Sequence, residues 1–254
     1  MQMNRTTTAL CATIGMGAIL SGAAGLLVAH AQQTGKPLAL LGGAINAVQA
    51  DETTTPTFSH STQITHPFLP LADFQSDVYE GKEAGKLVRV ENRRKSTKKI
   101  FMIGGQRVTP VALEFREFLE GKLKEVALDF FAQDDAGTVY YLGEEVTNYR
   151  NGKVVGHEGA WEYGKGKAAL GIMLPANPKV GDKYQPENVP GVTTEDDEVI
   201  STTETVSVPV GTFKNCIKVR ETLSDGAIEY KVYAKGVGMI VDDSLKLVAR
   251  KTRK

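Results

Sequence analysis

The chain has 254 residues, and its 30 Lys plus Arg are matched by 30 Asp plus Glu. That balance excludes a global field that would draw nucleic acid or an anionic membrane. The first sixty or so residues are poor core material, which leaves roughly 190 for one domain with one substantial core.

Arg5 precedes a run of small and apolar residues from Ala9 to Val28, followed by Ala29-His30-Ala31. A basic start, an apolar middle and a small-x-small end are the layout of a secretory signal peptide, so residues 1–31 are expected to direct export to the periplasm or the extracellular space. A retained anchor is the rival, since the run is about long enough to span a bilayer. Polar Gln32 and Gln33 favour cleavage, and no transmembrane span is expected in the mature chain. Cys11 lies too near the start to be a lipoprotein cysteine. Val48-Gln49-Ala50 offers a second processing site. After cleavage at either site Cys216 is the one cysteine left, which rules out an intramolecular disulfide.

Residues 51–63 (DETTTPTFSHSTQ) are rich in Thr, Ser and acid, so residues 32–63 read as a flexible linker and 64–254 as a single β domain. Pro67 and Pro70 keep Ile64 to Leu71 out of a central strand. That stretch is expected to cross one end of the sheet as a lid, with Phe68, Leu69 and Leu71 plugging an apolar opening. Leu87 to Asn92 and Ile100 to Ile103 read as strands flanking a solvated basic hairpin turn, Arg93 to Lys99.

Thr109 to Phe131 admits two readings. Ala112, Phe115, Leu119, Leu123, Val126 and Phe130 would share a helical face behind Thr109-Pro110. Val111, Leu113 and Phe115 also alternate, and a Gly inside a helix costs about 1 kcal/mol, so Glu120-Gly121 is taken as the turn of a hairpin. Val126, Leu128 and Phe130 continue the period of two to a turn at Asp134 to Gly137, from which Thr138 to Tyr149 folds back. Asn151-Gly152 marks the next hairpin. Ala168 to Leu174 is a short apolar run, Pro186 to Gly191 reads as a loop, and Glu195 to Glu198 as a solvated acidic loop.

The last third alternates most cleanly, with Ile217 and Val219 opposing Lys218 and Arg220, and Ile228, Tyr230 and Val232 opposing Glu229, Lys231 and Tyr233. Gly236-Val237-Gly238 marks a bulge or a close backbone approach. The fold class that follows is all-β: an antiparallel meander of about ten to twelve strands forming a barrel, a half-barrel (β-clam) or a sandwich.

Several stretches together resemble a family of exported bacterial proteins without an assigned activity. They are Ile64-Thr65-x-Pro67-Phe68-x-Pro70-Leu71, Val78-Tyr79-Glu80-Gly81, Asp129-x-x-Ala132-Gln133-Asp134-x-x-Gly137, Trp161-Glu162-x-Gly164 and Glu229-x-Lys231-x-Tyr233-Ala234-x-Gly236-Val237-Gly238. The pattern departs at His66, where Asn is usual, and at Leu223 to Ala227, where a longer segment is usual. The resemblance implies export and one β domain, and no chemistry. The closing Tyr-Ala-x-Gly-Val-Gly segment is more loosely similar to periplasmic half-barrel proteins, some of which carry lipids.

No phosphate-binding motif and no Gly-x-Ser-x-Gly elbow occurs. His60, His66 and His157 are too few for an ordinary zinc site, and Glu195 to Glu198 lack the spacing of a calcium loop. No metal, cofactor or catalytic residue is therefore assigned. The polar residues set among aromatic strands are the candidate ligand-binding set: Asp129, Gln133, Glu144, His157, Trp161, Glu162, Glu229 and Lys231. The expected function is a monomeric, non-enzymatic exported domain binding a lipid, another amphipathic molecule or an envelope partner. The alternatives are an envelope enzyme using Asp129, Glu162 and Glu229 with His157 as base, and a purely structural surface protein.

Overall fold

The computed structural model describes residues 55–253. The expected signal peptide and both processing sites lie outside the described residues. Within them are sixteen strands and no helix. They are β1 (Phe74–Glu83), β2 (Lys86–Lys95), β3 (Phe101–Ile103), β4 (Gln106–Val108), β5 (Val111–Leu119), β6 (Lys122–Gln133), β7 (Val139–Arg150) and β8 (Lys153–Gly156). There follow β9 (Trp161–Glu162), β10 (Gly171–Leu174), β11 (Lys183–Val189), β12 (Thr193–Val208), β13 (Gly211–Leu223), β14 (Ile228–Ala234), β15 (Gly238–Asp242) and β16 (Leu245–Thr252).

Fourteen strands form one antiparallel sheet, in the order β10-β7-β6-β5-β2-β1-β16-β15-β14-β13-β12-β11 with β8 and β9 added to β7, and β3-β4 form a second. The all-β expectation holds, with more strands than the ten to twelve expected. Of the architectures left open, the closed barrel is not formed. The two terminal strands nevertheless lie side by side. Ala169 N–H donates to the Asn188 carbonyl at 3.1 Å, yet no ladder joins β10 to β11. The result is an unzipped seam.

The disputed segment is a hairpin. β5 and β6 pair from Val111↔Phe131 to Leu119↔Lys122, and Glu120 and Gly121 carry φ of 49° and 72°. Two successive left-handed residues match the right-handed twist of the flanking strands, and glycine takes the second without strain. The β6–β7 turn is held by Asp134 Oδ1, which accepts the Thr138 N–H at 2.8 Å.

Three local expectations fail. Arg93 to Lys99 is not a hairpin turn, because β2 runs on to Lys95 between β1 and β5 while β3 pairs with β4 in the small sheet. Once β2's two edges are occupied, β3 has no place beside it, and the basic run becomes a crossover. Pro186 to Gly191 and Glu195 to Glu198 are not loops either: most of the first lies in β11 and all of the second in β12. Glu195 and Asp197 are buried while Asp196 is exposed and Glu198 half-buried, so the acidic run is a strand with alternate carboxylates turned inward. Pro186 sits at a register shift in an edge strand, where its missing N–H is tolerated.

The small sheet packs on the outer face of the large one, where Phe101 and Phe130 rings lie 5.7 Å apart. Residues 55–63, expected as linker, dock beside it. Ser59 N–H donates to Asp135 at 2.9 Å, Ser61 Oγ to the Thr109 carbonyl at 2.8 Å, and Phe58 meets the Tyr140 ring edge-on. Cover on both faces explains why Phe130, Phe131 and Ala132 are all buried. Cys216 is buried too.

Candidate functional site

Ile64 to Ala72 forms no strand and crosses the end of the sheet. Its ties come from three places. Gln133 Oε1 accepts the Thr65 and His66 N–H groups at 2.8 and 2.9 Å; His66 Nε2 donates to the Pro175 carbonyl at 3.0 Å; the Pro67 carbonyl accepts the Gly236 N–H at 2.7 Å. Leu69 and Leu71 are thereby turned inward and buried. Beneath them is a narrow cleft with an enclosed volume of about 10 Å³, walled by Leu69, Leu71, Phe74, Leu113 and Met239.

Four polar side chains also line this cleft: Asp77 and Tyr79 from β1, Asn92 from β2 and Arg250 from β16. The antiparallel ladders put Asp77 opposite both Asn92 and Arg250, so strand register alone brings the three together. Arg250 Nη1 donates to Asp77 Oδ2 at 2.8 Å, and Tyr79 OH donates to the Met239 carbonyl at 2.9 Å. Burial pushes the Asp77 carboxyl up to about 6 even against the Arg250 charge.

A second polar region runs through the interior. Asp129 (β6), Glu144 (β7), Glu187 (β11), Glu195 and Asp197 (β12), Glu221 (β13) and Asp242 (β15) are all buried. Lys231 (β14) is completely buried among them, with Nζ 3.1 Å from Glu195 and 2.6 Å from Glu221. Burial, and then Glu195, push the Glu221 carboxyl far above the ordinary carboxylate range, whereas the surrounding acids hold the Lys231 charge despite its burial. Burial likewise raises Asp129 to about 8 and Glu187 to about 7.

The eight residues singled out from the sequence divide into an inner and an outer group. Asp129, Glu144, Trp161, Glu229 and Lys231 are buried. Trp161 Nε1 donates to Glu187 Oε1 at 3.3 Å, bridging β9 to β11 across the seam. Gln133 instead fastens the lid. His157 is exposed, its Nδ1 donating to the Val146 carbonyl at 2.6 Å. Glu162 faces outward in a pair with Lys165 at 2.8 Å and Lys99 at 2.9 Å. Those lysines outweigh its partial burial and hold its carboxyl below the ordinary value.

Sequence reasoning missed Asp77, Tyr79, Asn92 and Arg250. The one signal available was their position at inward-facing steps of β1, β2 and β16, legible once the register is known. Among the described residues no group of three or more His, Cys, Asp or Glu is arranged to hold a metal ion, and no helix is long and apolar enough to cross a membrane. No family model matches the chain, and no curated protein or solved structure matches it either.

Proposed function

We propose that this chain is an exported, non-enzymatic binding domain that holds an amphipathic molecule in the cleft beneath the Ile64–Ala72 segment. The observation that carries this reading is the cleft itself: apolar walls, four convergent polar groups and a carboxyl displaced by burial are the ordinary make-up of a small-molecule site. With the Ile64–Ala72 segment seated the enclosed space is only about 10 Å³, room for about one water, so a ligand's polar head enters as Leu69 and Leu71 move out with that segment. Arg250 gives one donor to Asp77 and keeps further guanidinium N–H groups for the ligand's polar head. The small-x-small sequences at Ala29 to Ala31 and Val48 to Ala50 support export.

The enzyme reading gains nothing from this arrangement. Asp129 and Glu229 are interior, Glu162 is neutralised by lysines on the outer face, and His157 is exposed beside Val146. Calorimetric titration with alkyl carboxylates and alkyl phosphates of increasing chain length tests the binding reading. Arg250→Lys keeps a cation beside Asp77 but removes the planar donor fork, and affinity should fall by about tenfold, or about 1.4 kcal/mol, with the fold intact. No heat with any chain length in the wild-type protein overturns the proposal.

A further inference from the structure

β2 runs past the start of β1 at the lid end: Arg93 is the last residue paired with β1, opposite Ser76, and Arg94 goes on to pair with Leu113 of β5. On the other side of β1, Phe74 stands opposite Thr252, so Arg253 lies just beyond the last pair with β16. Two arginines from the strands flanking β1 therefore come to the point where the lid chain enters it. The lid is closed on itself there as a short Ω-loop, the Ala72 N–H donating to the Ile64 carbonyl at 2.9 Å.

Each arginine gives one side-chain N–H to that junction. Arg94 Nη1 donates to the Leu71 carbonyl, and Arg253 Nη2 donates to the next carbonyl, that of Ala72, at 2.6 Å. The Arg253 backbone N–H fixes the strand end by donating to the Asp73 carbonyl at 2.8 Å. Adjacent carbonyls bring the two guanidinium groups near each other. Burial, and then the Arg253 charge, hold the Arg94 guanidinium below its ordinary pKa, with exposed Asp73 opposing. Neighbouring cations are already matched, Lys95 with Glu114 at 3.2 Å and Arg250 with Asp77 at 2.8 Å. Among the described residues no carboxylate forms an ion pair with Arg94 or Arg253.

We propose that Arg94 and Arg253 form a phosphate-binding site at the root of the lid. Each guanidinium keeps further N–H donors in a planar fork, so the oxygens of a tetrahedral anion accept from both at once. An anion seated there also offsets the repulsion between the two like charges, which a neutral ligand does not. Pairing at contact range needs no global field, so the balanced charge of the chain is no bar. The site is separate from the cleft, which neither arginine lines.

The protein is titrated by calorimetry with sodium phosphate, with sodium chloride at matched ionic strength as the blank. It is also floated with vesicles of phosphatidylcholine, with and without phosphatidic acid. A saturable phosphate heat points to a soluble phosphate, and retention on phosphatidic acid vesicles without that heat points to a lipid headgroup. Either result supports the site when Arg253→Gln weakens it by about tenfold or more. Arg253 is exposed, so circular dichroism should show this variant folded even where Arg94→Gln loosens the lid. The inference is overturned if neither arm responds, if chloride or phosphatidylcholine alone responds equally, or if folded Arg253→Gln behaves like the wild type. Arg250→Lys keeps the phosphate response; losing it would move the anion into the cleft and equally overturn the site, so this site and the cleft fail separately.

Discussion

Lys231 shows how one residue can be misread when only its type is known. On a strand with Ile228 and Tyr230, hydropathy would turn the lysine out, yet Ile228 is 54% exposed and Lys231 is fully buried. Its ammonium is stable there because Glu195 and Glu221 surround it. Removing one partner of a buried pair leaves an uncompensated charge, so Lys231→Met should destabilise the fold by about 3–5 kcal/mol. Adding Glu195→Gln should recover part of the loss. Urea unfolding of the single and double variants measures both, and a single-variant loss below about 1 kcal/mol would show that the pair is not formed.

At the level of elements, two glycines separate turn conformation from close packing. Gly121, at φ 72°, has nothing within 4 Å of where a Cβ would stand, so Gly121→Ala should carry only backbone strain of roughly 1–3 kcal/mol. Gly143 has a positive φ and the Trp161 carbonyl in the way. Gly143→Ala should therefore cost more than Gly121→Ala and separate β9 from β7. The separation would appear as a red shift of Trp161 emission on exposure to water, absent in Gly121→Ala; equal losses without that shift would contradict the packing described for β9. The lid is an element of the same order: Gln133, Pro175 and Gly236 hold it from three separate parts of the chain.

For the molecule as a whole, buried carboxyls set the dependence of stability on pH. Burial is the first cause in each case: Asp77 and Asp242 rise to about 6, Glu83 and Glu187 to about 7, Asp129 and Glu229 to about 8. Because these groups keep their protons longer in the folded chain than in the unfolded one, their contribution is complete below the unfolded value near about 4 and is lost as pH rises through about 6 to 8. Urea midpoints should therefore fall between about pH 5.5 and about pH 8.5. A midpoint that rises over that interval would mean that the interior carboxyls are ionised and paired.

Local chemistry determined much of this protein in advance. The hairpin at Glu120-Gly121 and the turns at Asp134 to Gly137 and Asn151-Gly152 rest on backbone preferences of neighbouring residues, which need no distant partner, and Pro67 and Pro70 by themselves keep the lid out of a central strand. Period-two patterning also showed that Glu229 and Lys231 share a face. Which face is buried was a tertiary decision, because it depends on how fourteen strands curl and what their outer side meets. The same is true of Glu195 to Glu198, whose acidity reads as solvent exposure until Lys231, two strands away on β14 across β13, is seen to meet it. Asp77 and Arg250 stand 173 residues apart in sequence. Their pairing, and the cleft built on it, exists only because β16 returns to lie beside β1, a long-range ladder that no local signal encodes.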